Sequence, residues 1–428
     1  MIAVIAAFFA LPVALAQEPA PTPAPTAQGE ALHLFLDCPD YLCDLDFMRT
    51  EITFVNYVRD RRDAQVYVLV ATQETGAGGT AYTLTFIGQG ALAGRTDTLH
   101  YASRPAEPGD AVRRGFARVL KLGLMRYVAG TPIADHIEVT FTAPAAGTAA
   151  PRQQHDPWNY WVFRLGANGY FNGETQQSSR SVSGNVTAKR VTEQMKMSFS
   201  LRANNDHSRY DLDSVTTYIN DSHRYGMNGS IVWSLGPHWA YGAEGGASSS
   251  TYDNYDLSVR GGPAVEFNVF PYSESTRRSL RIKYSIGPQY SAYTDTTIYG
   301  KTRETLVQHA IEVALDAKQP WGEVGISLSG SQYLHDLSKV NAGLFGSMNI
   351  NIIRGFQFNV GGGYSLVRDQ LALPAGGATP QEILVRQRQL ATNYSYFTFI
   401  GLSYTFGSIY NNVVNPRFGG GGRSFFCC

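Results

Sequence analysis

The chain has 428 residues, a formal net charge of zero and only 16% charged residues. A chain this poor in charge lacks the basic surface that nucleic-acid binding requires, so we expect no nucleic-acid partner. Aromatic residues reach 12% and glycines number 43, while no segment after the amino terminus approaches the ~20 consecutive apolar residues of a transmembrane helix. This combination is typical of a membrane β-barrel, in which only one face of each strand meets lipid.

The amino terminus predicts export from the cytoplasm. Residues 1–16 form an apolar run that ends in Ala14-Leu15-Ala16, which is a small-x-small cleavage site, and we interpret residues 1–16 as a secretory signal peptide. Residues 17–30 are rich in Pro and Ala and predict an extended linker. A second low-complexity linker, residues 143–157, predicts a domain boundary.

Residues 31–142 between the two linkers predict a small α/β domain with the order β-α-β-β-β-α-β. The predicted strands are 31–36, 65–72, 82–87, 96–102 and 136–141, and the predicted helices are 44–60 and 107–129. Both helices carry one apolar stripe, such as Leu45, Met48, Ile52 and Val55 in the first. The Gly-rich segment 76–79 lies between two strands and lacks the Lys-Ser/Thr of a phosphate loop, so it predicts a hairpin turn. We expect this domain to fold independently, with few contacts to the rest of the chain.

This order of elements resembles the amino-terminal domain of the translocation protein TolB and related periplasmic domains of the curli secretion protein CsgG. The resemblance implies a periplasmic location and a docking role toward a periplasmic protein or cell-wall partner. Cys38 and Cys43 bracket the start of the first predicted helix, and an oxidising compartment makes them a candidate disulfide. Their spacing is loose for zinc, and no further Cys or His pair completes a metal site.

Residues 158–406 contain a series of segments in which apolar residues alternate with polar ones. In one segment Met195, Met197 and Phe199 alternate with Lys196 and Ser198, as in a strand with one apolar face. About twelve such strands are predicted, and they indicate a transmembrane antiparallel β-barrel, for which an even number of strands is expected in a single chain.

The predicted connections alternate in length, which is also expected of such a barrel. Short turns are predicted at 192–194, 235–238, 273–275, 318–320 and 354–355. Long polar links are predicted at 204–223, 251–256, 294–304, 334–340 and 367–393, the last with a short helix from Thr379 to Leu390 that could act as a lid or be an ornament. Short turns belong in the periplasm and long links outside the cell. All five tryptophans lie near the short turns, where an aromatic girdle would meet the membrane interface.

The last apolar strand ends with Gly401, Tyr404 and Phe406. This ending resembles the closing-strand signal of bacterial outer-membrane β-barrel proteins, although Phe399 stands where that signal has a polar residue. The resemblance implies assembly by the barrel assembly machinery, contact with outer-membrane lipid, and an outer-membrane location with the amino-terminal domain in the periplasm. A Gly-rich tail, residues 407–428, follows and ends in Cys427 and Cys428; the sequence does not decide where it lies.

Charged residues fall on the predicted inward face of the strands. They are Arg164, Lys196, Arg202, Arg224, Glu244, Arg260, Glu266, Arg281, Lys283, Glu312, Asp316 and Glu323. A barrel of about twelve strands is narrow, so charges of both signs favour a paired network that largely fills the lumen. The alternative is a channel selective for small solutes.

Enzymatic activity is the third hypothesis. His309 lies on the predicted outward face, where an outer-membrane phospholipase would carry its histidine, and His335-Asp336 lies near the outer rim like the His-Asp pair of an omptin-like protease. No nucleophile can be placed beside either histidine, so solvated or structural histidines are favoured. His207 with Asp206 and His223 with Asp221 could clip a metal across one loop, but a solvated loop is again favoured. We therefore predict a non-enzymatic protein without a catalytic residue, metal site or cofactor, whose periplasmic domain docks an envelope partner; the channel and a lipid or peptide hydrolase remain alternatives.

Overall fold

The structure is a computed structural model that describes residues 31–38, 43–76, 78–140, 156–211, 217–376, 389, 391–412, 414 and 417. The predicted signal peptide, nearly all of both linkers, the short helix from Thr379 and the two final cysteines lie outside the described residues. The described residues form two sheets, one of five strands and one of twelve.

The five-stranded sheet and two helices form the amino-terminal α/β domain. Its elements are β1 (Leu32–Asp37), α1 (Leu45–Glu51), β2 (Val55–Tyr57), β3 (Val66–Glu74), β4 (Thr80–Gly88), β5 (Thr96–Ala102) and α2 (Gly109–Val128). The strand order is β2-β1-β3-β4-β5. β1 is parallel to both neighbours, and β3, β4 and β5 are antiparallel, so β2 is an edge strand.

The core of this domain lies where the helices cover the sheet. The buried side chains of α2 include Phe116, Leu120 and Leu124, and they belong to one apolar cluster with Phe86 of β4. α2 comes so close to the sheet that a Cβ at Gly123 would lie 2.0 Å from the ring of Phe86. Glycine is therefore required at position 123 because only its lack of a side chain permits this approach.

Two predicted elements of this domain are wrong. The helix predicted at 44–60 ends at Glu51, and Val55 to Tyr57 form β2 instead, because the run from Ile52 to Val55 is rich in β-branched and aromatic residues that favour a strand beside β1. The strand predicted at 136–141 is absent over its described residues. Pro132 begins a 3₁₀ turn that extends to His136, and β2 already occupies the place beside β1.

The twelve-stranded sheet is antiparallel throughout, and its spatial order equals its order in the chain. Its strands are β6 (Trp161–Gly173), β7 (Gln177–Val191), β8 (Met195–Asp211), β9 (Thr217–Leu235), β10 (Trp239–Ser250), β11 (Tyr255–Asn268), β12 (Arg278–Tyr293), β13 (Arg303–Gln319), β14 (Gly322–Tyr333), β15 (Asp336–Ile353), β16 (Phe356–Val367) and β17 (Tyr394–Tyr404). The predicted number and antiparallel arrangement of strands are confirmed.

The sheet has one apolar and one polar face, because residues paired across neighbouring strands point to the same side. Met197 pairs with Ile231 on the apolar face, whereas Ser198 pairs with Ser230 on the polar face. The large apolar side chains of the apolar face are exposed along the whole sheet, from Phe163 (57% exposed) to Leu402 (65%).

The connections differ in part from the predicted lengths. At the end of the sheet that we call the short-turn end, the connections are 192–194, 236–238, 269–277, 320–321 and 354–355. At the opposite, long-link end the predicted link 204–223 is mostly strand, since β8 and β9 extend as a hairpin, and the predicted link 334–340 shrinks to residues 334–335. These two predictions were wrong because polar side chains on both faces beyond the apolar band do not prevent strand pairing.

Among the helices of the described ranges, none is both long and apolar enough to cross a bilayer.

Candidate functional site

The polar face of the twelve-stranded sheet carries all twelve charged residues predicted from the sequence. Strand pairing connects them in register: Arg164 faces Thr187, which faces Ser200, and the same face continues through Glu244 and Gly262 to Lys283 and Glu312. Alternation along each strand then places the remaining members on this side.

The charges form a local cluster around one lysine. The Lys283 Nζ lies 3.1 Å from Glu244 Oε2 and 3.2 Å from Glu312 Oε1. Its side chain is 24% exposed, less than either carboxylate. A second pair joins Arg281 to Asp316 at 3.4 Å. One cation between two carboxylates compensates charge that would be costly to hold in a confined space.

The other predicted members do not join this cluster. Glu266 accepts a hydrogen bond from the Tyr272 hydroxyl at 3.0 Å, and Arg224 pairs with Asp253 at 3.4 Å near the long-link end. Among the described residues no ion pair involves Arg164, Lys196, Arg202, Arg260 or Glu323. The predicted network is therefore a set of separate clusters with free cationic side chains between them.

A cavity of about 320 Å³ lies against the polar face at the Lys283 cluster. Its lining includes Ser198, Ser200, Arg260, Gln289 and Gln308 besides Glu244, Lys283 and Glu312. Hydroxyl, amide and charged groups of both signs can hold water and small polar or charged solutes. His309 also belongs to the lining, and among the contacts of the described residues no serine of the lining is hydrogen-bonded to it.

The segment after β16 covers the long-link end of the polar face. Leu371, Ala372 and Leu373 are buried, and their backbone bonds to the other connections: Ala372 O accepts from Asn254 Nδ2 at 2.7 Å, and Leu373 O accepts from Ile298 N at 2.8 Å. Thr297 forms a β-bridge with Pro374. This part of the predicted link 367–393 is therefore a packed cover joined to two neighbouring connections.

The α/β domain docks against the short-turn end at two places. Asp63 forms an ion pair with Arg354 at 2.7 Å, and Asp60 accepts a hydrogen bond from Gly355 N at 2.6 Å. On the other side of the domain, Glu74 pairs with Lys189 of β7 at 3.0 Å. The described contacts that cross between the domain and the strands are few, and two of them join side chains of opposite charge. Independent folding of the domain stays a prediction.

The beginning of the carboxyl-terminal tail makes the third contact. Residues 409–412 run antiparallel beside β2, with Tyr410 opposite Val58. The sequence left the position of the tail open, and the structure places this part on the edge of the domain's sheet. The neighbouring Tyr57 side chain is buried and donates to Met48 O at 3.0 Å; burial raises the pKa of its phenol.

The predicted histidine sites remain without catalytic partners in the described contacts. His309 Nδ1 lies 3.5 Å from the Tyr284 hydroxyl on the apolar face, and its Nε2 has no hydrogen-bond partner. Asp336 accepts from the Ser338 hydroxyl and backbone N–H rather than from His335. His207 pairs with Asp221 at 2.6 Å, yet within the described part of the chain no three potential ligand side chains gather around a metal position.

The remaining predicted residues are placed as follows. Cys38 and Cys43 are joined by a disulfide with their Cα atoms 6.1 Å apart. In the closing segment Gly401 pairs with Asn359 and Tyr404 with Phe356, while Phe406 follows the end of β17 and stacks on Tyr404 with ring centroids 5.7 Å apart. The five tryptophans all lie at or next to the short-turn end of their strands.

Sequence reasoning missed the docking residues Asp60, Asp63 and Glu74 and the pairing of the tail. These residues are single charges in a turn or at a strand end, which are common places for solvated charge, so only their positions in space distinguish them. Comparison with known proteins adds no assignment, because no family model matches the chain and no curated protein matches it.

Proposed function

We propose that this protein is a bacterial outer-membrane β-barrel whose α/β domain lies in the periplasm, docks an envelope partner and has no enzymatic role. The lumen of this barrel is partly filled by the Lys283 cluster. At its two mouths lie the docked domain and the segment containing Leu371 to Leu373.

The exposure of the apolar face is the observation that carries this proposal. A single sheet with exposed Phe163, Leu165 and Leu402 would aggregate in water but is suited to a lipid environment. The shortest of its twelve strands has 11 residues, and a tilted strand needs about 9–11 residues to cross a bilayer. Polar residues on the opposite face then require closure of the sheet around a lumen.

The short distance that the segment after β16 can span supports a strong curvature of the twelve-stranded sheet. Arg368 N still bonds to Val340 O of β15, whereas Ala372 O already accepts from Asn254 in the β10–β11 connection. Four residues span at most about 14 Å, while the five strand spacings from β16 to β11 measure about 24 Å in a flat sheet. The segment is shorter than its maximum span because Leu371 N bonds to Asp369 O in a tight turn. The length of the Asn254 side chain does not close the gap between this span and the flat-sheet distance, so the contact favours a curled sheet.

Closure and topology can be tested together in cells. The purified protein should migrate differently on a gel before and after heating, as closed barrels do. In a parent chain with Cys427 and Cys428 replaced by serine, Gly376→Cys should react with an impermeant maleimide on intact cells, whereas Ser275→Cys should react only after the outer membrane is opened. The reverse labelling pattern would invert the topology, and the absence of any heat-dependent shift would contradict the barrel.

The cavity at Lys283 favours a second candidate function, the selective passage of small solutes. Its mixed charges and free Arg260 could bind a small anion or zwitterion. Discrete, ion-selective conductance steps in a planar bilayer that change on Lys283→Met would favour this channel, and their absence in the intact protein would favour the non-conducting docking protein.

A further inference from the structure

We propose that the outer edge of β2, which faces away from β1, is the partner-docking site of the α/β domain. It accepts an extended peptide strand, and residues 409–412 of the chain itself occupy this edge when no partner is bound. This inference rests on the proposed docking role of the domain.

The backbone of the edge presents the donors and acceptors of an unfinished sheet. Arg59 N donates to Ile409 O at 3.0 Å, and Asn411 N donates to Tyr57 O at 2.8 Å. These two bonds flank the bridge between Val58 and Tyr410 in the antiparallel pattern. An edge strand with such groups is the surface to which extended peptides add.

The tail is an incomplete occupant of this edge. Beyond the two backbone bonds, Tyr57 N is satisfied by the side chain of Asn412, at 2.5 Å, and not by a backbone carbonyl. Asn412 Nδ2 in turn donates to Asn56 Oδ1 at 2.7 Å. A partner that continues as a regular strand would replace these side-chain bonds with backbone bonds along β2, so it can compete with the tail.

The neighbouring side chains define the partner further. The ring of Tyr410 meets His33 edge-on, with centroids 5.5 Å apart, which favours an aromatic residue opposite Val58. A regular strand satisfies the Tyr57 amide with its own backbone carbonyl, so it needs no counterpart of the Asn412 side chain. The partner is therefore an extended protein segment that runs antiparallel to β2 and places an aromatic residue opposite Val58.

Partner binding is coupled to release of the domain. The tail follows β17 directly, so its pairing with β2 attaches the domain to the short-turn end beside the contacts of Asp60, Arg62 and Asp63 and the pair of Glu74 with Lys189. A partner strand on β2 displaces the tail and leaves the domain held by the side-chain contacts.

A peptide with the sequence of residues 408–416, labelled with a fluorophore, tests this inference on the full chain in detergent. Asn411→Pro in the chain removes the amide that bonds to Tyr57 O and frees the edge, so the peptide should bind this variant at least about tenfold more tightly than the unaltered chain. Asn411→Ala keeps the amide and is the matched control, with binding like the unaltered chain. A chain that ends at Gly407 should bind as Asn411→Pro does.

Two further variants locate the binding on β2. Adding Arg59→Pro to the Asn411→Pro chain removes the donor to Ile409 O and should abolish peptide binding, whereas adding Arg59→Ala should preserve it. Equal binding to the unaltered and tail-released chains, or no binding to a chain ending at Gly407 whose circular dichroism is native, would overturn the inference. The assay needs no membrane, so its failure is distinguishable from a failure of the gel shift that tests the barrel.

Discussion

The α/β domain buries its large apolar side chains, whereas the twelve-stranded sheet exposes similar side chains on its surface. Leu34, Phe86 and Phe116 of the domain are at most 1% exposed, whereas Leu165 and Ile400 of the sheet are 78% and 69% exposed. The domain follows the rule for proteins in water, in which apolar burial is the main favourable contribution to folding. The sheet obeys the same physics only if its surroundings are apolar, which the proposed outer-membrane location provides, so under that proposal two parts of one chain fold in two solvents.

The contrast is also visible in the polar groups. The polar face of the sheet carries a cavity and charged clusters, whereas the interior of the α/β domain is an apolar cluster without charged members. The two regions meet through polar side chains and exposed backbone groups, and the contacts described between them are hydrogen bonds and ion pairs. Substitutions in the buried core of the domain, on the apolar face of the sheet and at the contact between them should therefore change stability or insertion by different amounts.

The largest effect is expected from Phe86→Ala in the domain. Removing this fully buried ring leaves a cavity beneath Gly123, and such a change costs about 3–5 kcal/mol, enough to unfold a marginal domain. Leu165→Ala on the exposed apolar face is the matched control and should leave the domain's transition unchanged. Urea unfolding followed by far-ultraviolet circular dichroism measures both, and equal shifts would contradict the assignment of separate solvents.

A lysine on the apolar face should have the next largest effect. Met197→Lys and Ile282→Lys should each impair insertion, because a lysine near the bilayer midplane costs about 2–4 kcal/mol. Ser198→Lys, one position away, enters the cavity beside Glu244 and Glu312 and should be tolerated. The fraction of protein with heat-modifiable migration measures insertion. Equal losses for Met197→Lys and Ser198→Lys would show that the two faces do not differ.

Alkaline pH should weaken the domain. Burial is the main cause that raises the pKa of the Tyr67 phenol, and the charge of Asp37 and its hydrogen bond with this phenol raise it further. The folded state therefore keeps the Tyr67 proton when the unfolded state, with a pKa near 10, loses it. The stabilisation is complete below about pH 10 and falls by up to about 1.4 kcal/mol per pH unit above it.

Tyr67→Phe is the control for this pH dependence. The phenylalanine variant lacks the titrating group, so its unfolding free energy should change less between pH 9 and pH 11 than that of the unaltered chain. The same urea titration at the two pH values measures the difference. An identical pH dependence in both chains would assign the alkaline loss to other groups.

The smallest effect is expected where the two regions meet. Arg354 is 57% exposed and its partner Asp63 14%, so screening by solvent limits this ion pair to about 1 kcal/mol or less. Asp63→Asn and Arg354→Met, alone and together, form a double-mutant cycle whose coupling energy should shrink at high salt. A coupling of several kcal/mol that ignores salt would mean that the contact is buried more deeply than the exposure indicates.

Local sequence patterns predicted the strands of the large sheet well. Alternation such as Met197 against Ser198 reports which side each residue faces without any knowledge of distant contacts. The same reasoning placed the twelve charged residues on one face. It failed for β2 and the residues before it, which it assigned to a helix. The three residues of β2 are too few to show a period, and this strand exists only through its pairing with β1. It also overestimated the links at 204–223 and 334–340, since strand pairing extends past the apolar band.

The sequence by itself determined the two-faced strands, their number and the two helices that cover the small domain, because these depend on the spacing of apolar residues along the chain. Only the tertiary structure decided that Asp63 meets Arg354, that Leu371 to Leu373 cover the long-link end, and that Asn411 bonds to Tyr57. Backbone groups at a sheet edge are the same for every residue type, so no local pattern specifies which distant segment completes them.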